Sequence, residues 1–414
     1  MGNDPLARLR AATARRAAAH LRRRLRPRAE DHDGLLDLAS NDYLGLARDP
    51  RLIDAAVRAA REWGAGSTGS RLVTGTTELH ARLDHRLAAF AGTGAGLVFS
   101  SGYLANLAAV TALSGPGSLV VSDRGNHASV IDACRLSRAR VVVTPHRDVA
   151  AVERALAARD EQAAVVITDA VFSVEGDLAP LADLHRAARR HGALLVIDEA
   201  HALGVVGSGG RGAAAAAGIG GEPDVVLTVT LSKALAAQGG AVLGAPEVID
   251  TLVDIARPFI FDTGLAPASV GAALAALDVL TAEPGLPALA RDRAMRIWGR
   301  ADEVGLHTTV PAAAVVAVIL GDPRDALRAA EICAAHGVGV GCFRPPSVPA
   351  GRACLRITAP ASLTDADLTV LGKALGQIAD DVARYAPGAP RGPYARATPP
   401  EYTGSERDER EERP

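Results

Sequence analysis

The sequence predicts an α/β fold: a mainly parallel sheet with helices on both faces, followed by a smaller C-terminal α+β domain. Two observations carry this. Short apolar runs rich in β-branched residues, GLVFSS, SLVVSD, RVVVTP, AAVVITDAVFS, ALLVIDEA, DVVLTVT and GAVLGA, follow one another between residues 96 and 245, and Ala/Leu/Arg-rich helical stretches such as VIDACRLSRA, VERALAARD and LADLHRAARRHG separate several of them. Short buried strands alternating with helices are the pattern of a parallel sheet covered on both faces. From about residue 285 the texture changes, and two apparent strands, AVVAVIL and CLRIT, flank a helix at Asp325 to His336.

The elements follow in order. Residues 5–26 are rich in Arg, Ala and Leu, read as helix, and end at Pro27. LLDLAS (Leu35 to Ser40) reads as a short strand, and the Gly-rich loop Gly64 to Gly75 precedes a helix beginning near Thr77. This gives an N-terminal helical segment (1–45), a large α/β domain (46–284), a small α+β domain (285–385) and a tail (386–414). The tail is Pro-rich, then highly charged, and is expected to be disordered because it has almost nothing to bury. A formal net charge of −2 gives no polybasic character for nucleic acid or an anionic membrane, and no uninterrupted apolar stretch is long enough to span a bilayer. No apolar run follows the Arg-rich N-terminus, so it is not read as a secretory signal. Cys134, Cys333, Cys342 and Cys354 lack CxxC spacing and read as reduced core residues of a cytoplasmic protein, with no metal site.

Among 45 basic residues only Lys233 and Lys373 are lysines. Surface charge is served by either basic type, but only lysine offers an amine nucleophile. Lys233 directly follows the run DVVLTVT, so it stands at a strand's carboxyl end, where sites in such sheets lie. Lys373 belongs to a C-terminal amphipathic helix and reads as a solvated charge. Asp198 ends the run LLVID, and His201 follows it in DEAH. An acid there serves as a catalytic group or caps a helix. An acid at one strand end and a lysine at the next is the pair pyridoxal 5'-phosphate (PLP) needs, because a carboxylate at the pyridine nitrogen keeps the ring an electron acceptor.

Ser101–Gly102–Tyr103 follows GLVFS and opens a helix, where small residues let backbone N–H groups close on a phosphate. Thr230 and Ser232 offer hydroxyls to the same group. His127, after SLVVSD, is placed to stack on a pyridine ring, or else simply starts a helix. Arg356 alternates with apolar residues in CLRIT and points to a cleft, where it binds a substrate carboxylate or forms an interdomain ion pair. Gly207 to Gly212 matches GxGxxG, but no strand directly precedes it, so it reads as a loop and not as a dinucleotide site.

The chain resembles the α-oxoamine synthase family of fold-type-I PLP transferases (aspartate-aminotransferase-like). The resemblance covers about residues 5–385 and rests on ordered strings: SNDYLGL (Ser40 to Leu46), GSTGSRLVTGTTELHARLD, SSGYLAN, NHASVIDACRLS, DAVFSVEGDLAPL, IDEAHALGVVG, TLSKAL and RPPSVPAGRACLRIT. It implies that Lys233 is the Schiff-base lysine, that Asp198 pairs with the pyridine nitrogen, that His201 and Ser173 contact the ring's O3′ side and that His127 stacks on it. Gly102 and Tyr103 then hold the phosphate by backbone with help from Thr230, and Thr263 of a neighbouring subunit is placed to assist. Arg356 takes the amino-acid carboxylate, Asn41 also contacts substrate, and Arg22 and Ser347 fall at acyl positions. RPPSVP resembles the string of the branch that joins L-alanine to a pimeloyl thioester, on CoA or on acyl-carrier protein, in biotin biosynthesis. Aminolevulinate synthase, aminoketobutyrate ligase and serine palmitoyltransferase share the PLP machinery. A homodimer is also implied. The sequence departs from the family at Ala202–Leu203, where Gly–Thr is common, at Ala236, where Gly is usual, and at FDTGLAP (Phe261 to Pro267).

Overall fold

The computed structural model describes residues 4–25, 27 and 34–385; the tail expected at 386–414 lies outside the described residues. In chain order the strands are β1 (Leu36–Leu38), β2 (Ala95–Phe99), β3 (Ser118–Asp123), β4 (Arg140–Thr144), β5 (Ala163–Asp169), β6 (Leu194–Asp198), β7 (Val225–Thr230), β8 (Gly240–Gly244), β9 (Val315–Gly321), β10 (Val338–Phe343) and β11 (Ala353–Thr358). The larger sheet has the order β2-β8-β7-β6-β5-β3-β4. Its alternating side chains enter two cores. Leu119, Val121, Val166, Ile197 and Leu227 pack on one face, and Val120, Val165, Val196 and Val226 on the other. This period of two, with both faces apolar, is why the runs read as unbroken apolar strings.

The sheet is parallel apart from β8, which runs antiparallel to both β2 and β7. Only residues 231–239 separate β7 from β8. A parallel crossover needs a dozen residues or more, so the chain turns back. Those residues carry Lys233.

The second sheet has the order β1-β10-β11-β9. Its β1, Leu36–Leu38, pairs parallel with β10, so the segment before residue 45 supplies a strand here. The sequence reading did not anticipate β10: its string, VGVGCF, has glycine at alternate positions, which dilutes the apolar signal. The N-terminal helix is shorter than expected, Ala7–Ala18, and buries none of its residues. Thr77 caps the helix Glu78–Ala91. Among the described residues, no single helix is long and apolar enough to cross a membrane.

Candidate active site

β2, β3, β5, β6 and β7 run in one direction, so their carboxyl ends share one edge of the sheet. That edge collects Ser101 to Tyr103, Asp123 and His127, Asp169, Asp198, and Thr230 with Lys233.

After β2 the helix Gly102–Leu113 begins, and the Ser101 Oγ caps it by accepting from the Leu104 N–H at 3.2 Å. The N–H groups of Gly102 and Tyr103 have no acceptor among the described residues. A Cβ at Gly102 would lie 3.0 Å from the Cβ of Thr230. The Thr230 hydroxyl bonds the Ser232 hydroxyl at 2.7 Å. Two unpaired N–H donors at a helix start, beside two hydroxyls, fit a phosphate group. The Tyr103 ring takes no part, since its hydroxyl donates to Asp132 at 2.5 Å on the surface.

Asp198 is buried at the end of β6. One carboxylate oxygen accepts from Asn106 Nδ2 at 2.7 Å and the other from the Ala200 N–H at 2.9 Å. Asn106 also donates to Ser129 Oγ and accepts from Thr228 Oγ1 at 2.6 Å, so its amide is fixed. His127 caps the helix Ala128–Ser137; its Nδ1 meets Ser129 Oγ at 2.7 Å, and its N–H donates to Asp169 at 3.1 Å. Burial lowers the pKa of His127. Asp169 is held far above the usual carboxylate range by burial and by Asp198 nearby.

Lys233 lies 3.1 Å, Nζ to Nε2, from His201. Burial pushes its pKa down to about 8, against the pull of Asp198. His201 is buried and held well below its usual pKa, first by burial and then by Lys233 and Arg356, so its ring is neutral. Its Nδ1 is 2.6 Å from the Tyr43 hydroxyl, which donates to Asn41 Oδ1 at 3.1 Å. With Nδ1 carrying the proton toward Tyr43, the Nε2 lone pair faces Lys233.

Arg356 completes this network. Its Nε donates to the Ser173 carbonyl at 2.6 Å, Nη1 to Asn41 Oδ1 at 2.9 Å and Nη2 to Tyr43 at 3.1 Å. The guanidinium is buried, yet among the described residues it pairs with no carboxylate. Among the described residues the interdomain ion pair weighed from sequence does not form, and a buried cation bonded to neutral groups suits an anionic ligand.

Ser347 and Arg22, expected at acyl positions, lie apart from this cluster. A cleft of about 190 Å³ is lined by Leu21, Arg23, Cys342, Phe343, Arg344, Pro345 and Ser347. Arg23, rather than Arg22, reaches Ser347, at 3.1 Å. Arg22 lines the surface groove beside the helix Ala7–Ala18. Phe343 connects the cleft to the site, because Arg356 lies 5.6 Å from its ring centroid. Lys373 is exposed. Ala236 has φ +48°, the left-handed region, which is the physical reason a glycine suits that position.

Residues 33–375 match the family described as aminotransferase class I and II. The chain belongs to that family. Within it, the chain is 61% identical over 380 residues to an 8-amino-7-oxononanoate synthase from Mycobacterium sp. (strain JLS), covering 91% of this chain and 97% of the relative. A solved serine palmitoyltransferase from S. paucimobilis, with bound PLP and myriocin, superposes with a TM-score of 0.85 at 28% identity, covering 92% of this chain and 100% of that one. The 8-amino-7-oxononanoate synthase from Francisella tularensis superposes with a TM-score of 0.72 at 26% identity, covering 85% and 99%.

For a class I and II aminotransferase fold, the site gains four residues that sequence reasoning did not single out: Tyr43, Asn106, Ser129 and Asp169. Asn106 left a trace, as the amide in an otherwise apolar helix, GYLANLAAVTAL. Tyr43 and Asp169 sit inside strings that marked the family, but nothing in their spacing told of their partners.

Proposed function

We propose that the chain is a PLP-dependent acyltransferase. It condenses L-alanine with a pimeloyl thioester to give 8-amino-7-oxononanoate, CO2 and free thiol, a step of biotin biosynthesis. The observation that carries the reading is Arg356, a buried guanidinium without an acid among the described residues, joined through the Tyr43 hydroxyl and His201 to Lys233. Lys233 would hold the cofactor covalently, and the Gly102 and Tyr103 N–H groups with Thr230 would hold its phosphate. Asp198, fixed by Asn106, would keep the pyridine nitrogen protonated; His127 would cover the ring face, with His201 and Ser173 toward its O3′ side. Bound there, PLP supplies a sink for the electron pair left at the amino acid's α-carbon.

Arg356 and Asn41 bind and orient the carboxylate of L-alanine. Lys233, with its pKa brought near 8, takes the α-proton as general base and returns a proton after CO2 leaves. The neutral His201 keeps the Lys233 amine directed. The cleft at Arg23 and Ser347 suits the pimeloyl thioester, and Phe343 leads from it to Arg356.

A homodimer in the cytoplasm fits the same reading. The bridged segments around Ser70 and Thr263 expose Leu72, Val73 and Phe261, an apolar surface that a second subunit would cover. Purified protein given L-alanine and pimeloyl-CoA, then pimeloyl-acyl-carrier protein, should release thiol only when the amino acid is present. Release with glycine or serine but not alanine would replace the substrate, and absence of bound PLP after reconstitution would overturn the reading.

A further inference from the structure

His146 lies outside the cluster described above, just beyond β4, and both of its ring nitrogens are engaged. Nδ1 meets Asp123 at 2.9 Å and Nε2 meets Asp177 at 2.9 Å. Its ring stands edge-on to Phe172, with centroids 4.2 Å apart. The ring also fills the space beside Gly125, where a Cβ would lie 2.8 Å from Nδ1. Among the described residues, Arg147 also bonds both acids, donating its N–H to Asp123 at 2.6 Å and Nη1 to Asp177 at 3.3 Å.

Each acid belongs to a loop that carries site residues. Asp123 ends β3, accepts from the Gly125 N–H at 2.6 Å, and precedes Asn126 and His127. Asp177 closes the turn from Phe172, whose N–H donates to the Asp177 carbonyl at 3.0 Å. That turn carries Ser173, the carbonyl acceptor for Arg356 Nε. It also meets the second sheet, where the Ala312 N–H donates to the Gly176 carbonyl at 2.9 Å.

We propose that His146 is a positioning residue for the amino-acid substrate: its doubly donating ring ties Asp123 to Asp177 and so sets the turn that orients Arg356. The inference rests on the assignment of Arg356 to the substrate carboxylate. A protonated imidazole donates from both nitrogens, but a neutral one donates from one only. On deprotonation one carboxylate loses the imidazole donor, and Asp123 and Asp177 face each other across an uncharged ring, with Arg147 the one cation bonded to both among the described residues. The two acids raise the pKa of His146 to about 9 against the opposing effect of burial, so the clamp is closed at neutral pH.

The test compares the KM for L-alanine of the wild-type and His146→Gln holoenzymes from pH 6.5 to 10. Effects of substrate and of Lys233 are common to both and cancel in the ratio. The ratio of variant to wild-type KM should be about tenfold at pH 7 and fall toward one by pH 10, where the wild type has lost the same proton. Asp177→Asn, which keeps one arm of the clamp, should show the same convergence from about threefold and serves if His146→Gln does not fold. A ratio near one at pH 7, or one constant across pH, overturns the proposal even if the melting temperature drops. Wild type that turns over an amino acid other than alanine corrects the function, and the ratio is then measured with that amino acid.

Discussion

At two of the helix starts that carry glycines, Gly102 and Gly212, the first backbone N–H groups have different fates. At Gly102 the first two N–H groups have no acceptor among the described residues, and the Thr230 hydroxyl stands beside them. At the GxGxxG stretch, Gly207 to Gly212, the following helical turn is already occupied. The buried Glu199 carboxylate accepts from the Ala213 and Ala214 N–H groups at 2.9 and 2.6 Å, and lies 2.8 Å from where a Gly212 Cβ would be. The second start holds an anion built into the chain, and burial pushes its pKa up to about 7. Glycine spacing alone does not make a phosphate site; donors left unpaired by the fold do.

The largest effect is expected at Lys233, on the loop that follows Thr230. On the proposed function Lys233→Ala would remove both the covalent anchor and the base, and alanine-dependent thiol release should fall about a thousandfold or more. Arg356→Ala should raise the KM for L-alanine about tenfold to a hundredfold, the loss of charge-assisted bonds, in steady-state kinetics. The two helix starts should then separate cleanly. Glu199→Ala leaves two N–H groups without an acceptor and should cost about 1–3 kcal/mol in urea unfolding, with PLP affinity little changed. Gly102→Ala, whose new Cβ crowds Thr230, should weaken PLP binding by spectroscopic titration while unfolding moves little. Equal effects of the two variants on PLP binding would break the comparison.

Stability should also depend on pH through His146. Its folded pKa is raised to about 9, so the folded chain holds this proton more tightly than the unfolded chain, whose histidine titrates near about 6.5. The contribution is complete below about pH 6.5 and lost as pH rises through about 9. Urea midpoints should fall across that window, and less so in His146→Gln. The smallest effect expected is from Ala236→Gly, which relieves a left-handed alanine and should stabilise by up to about 1 kcal/mol in thermal unfolding.

The strand ends were legible in the sequence because both faces of the larger sheet are buried, which makes its strands continuous apolar runs with a readable end. Asp198, Thr230 and Lys233 were singled out that way, and the fold brings them to one edge of the sheet. Arg356 was found by its alternation with apolar neighbours, and the geometry then removed its competing ion-pair reading. What stayed hidden is what depends on contacts between distant segments. Tyr43 and Arg356 are 313 positions apart when they bond, and Asn106 reaches Asp198 across 92. The direction of β8 was hidden as well, since an antiparallel return through nine residues leaves the same apolar run as a parallel strand. The contact of Ser347 with Arg23, 324 positions away, was hidden for the same reason as those of Tyr43 and Asn106.

The central claim is that PLP is held on Lys233. The chain has only two lysines, which makes one experiment decisive: borohydride reduction of the PLP-loaded protein, then proteolysis and peptide mass spectrometry. The phosphopyridoxyl group should be found on the peptide containing Lys233 and nowhere else. Its appearance on Lys373, or its absence from both lysines, would contradict the account.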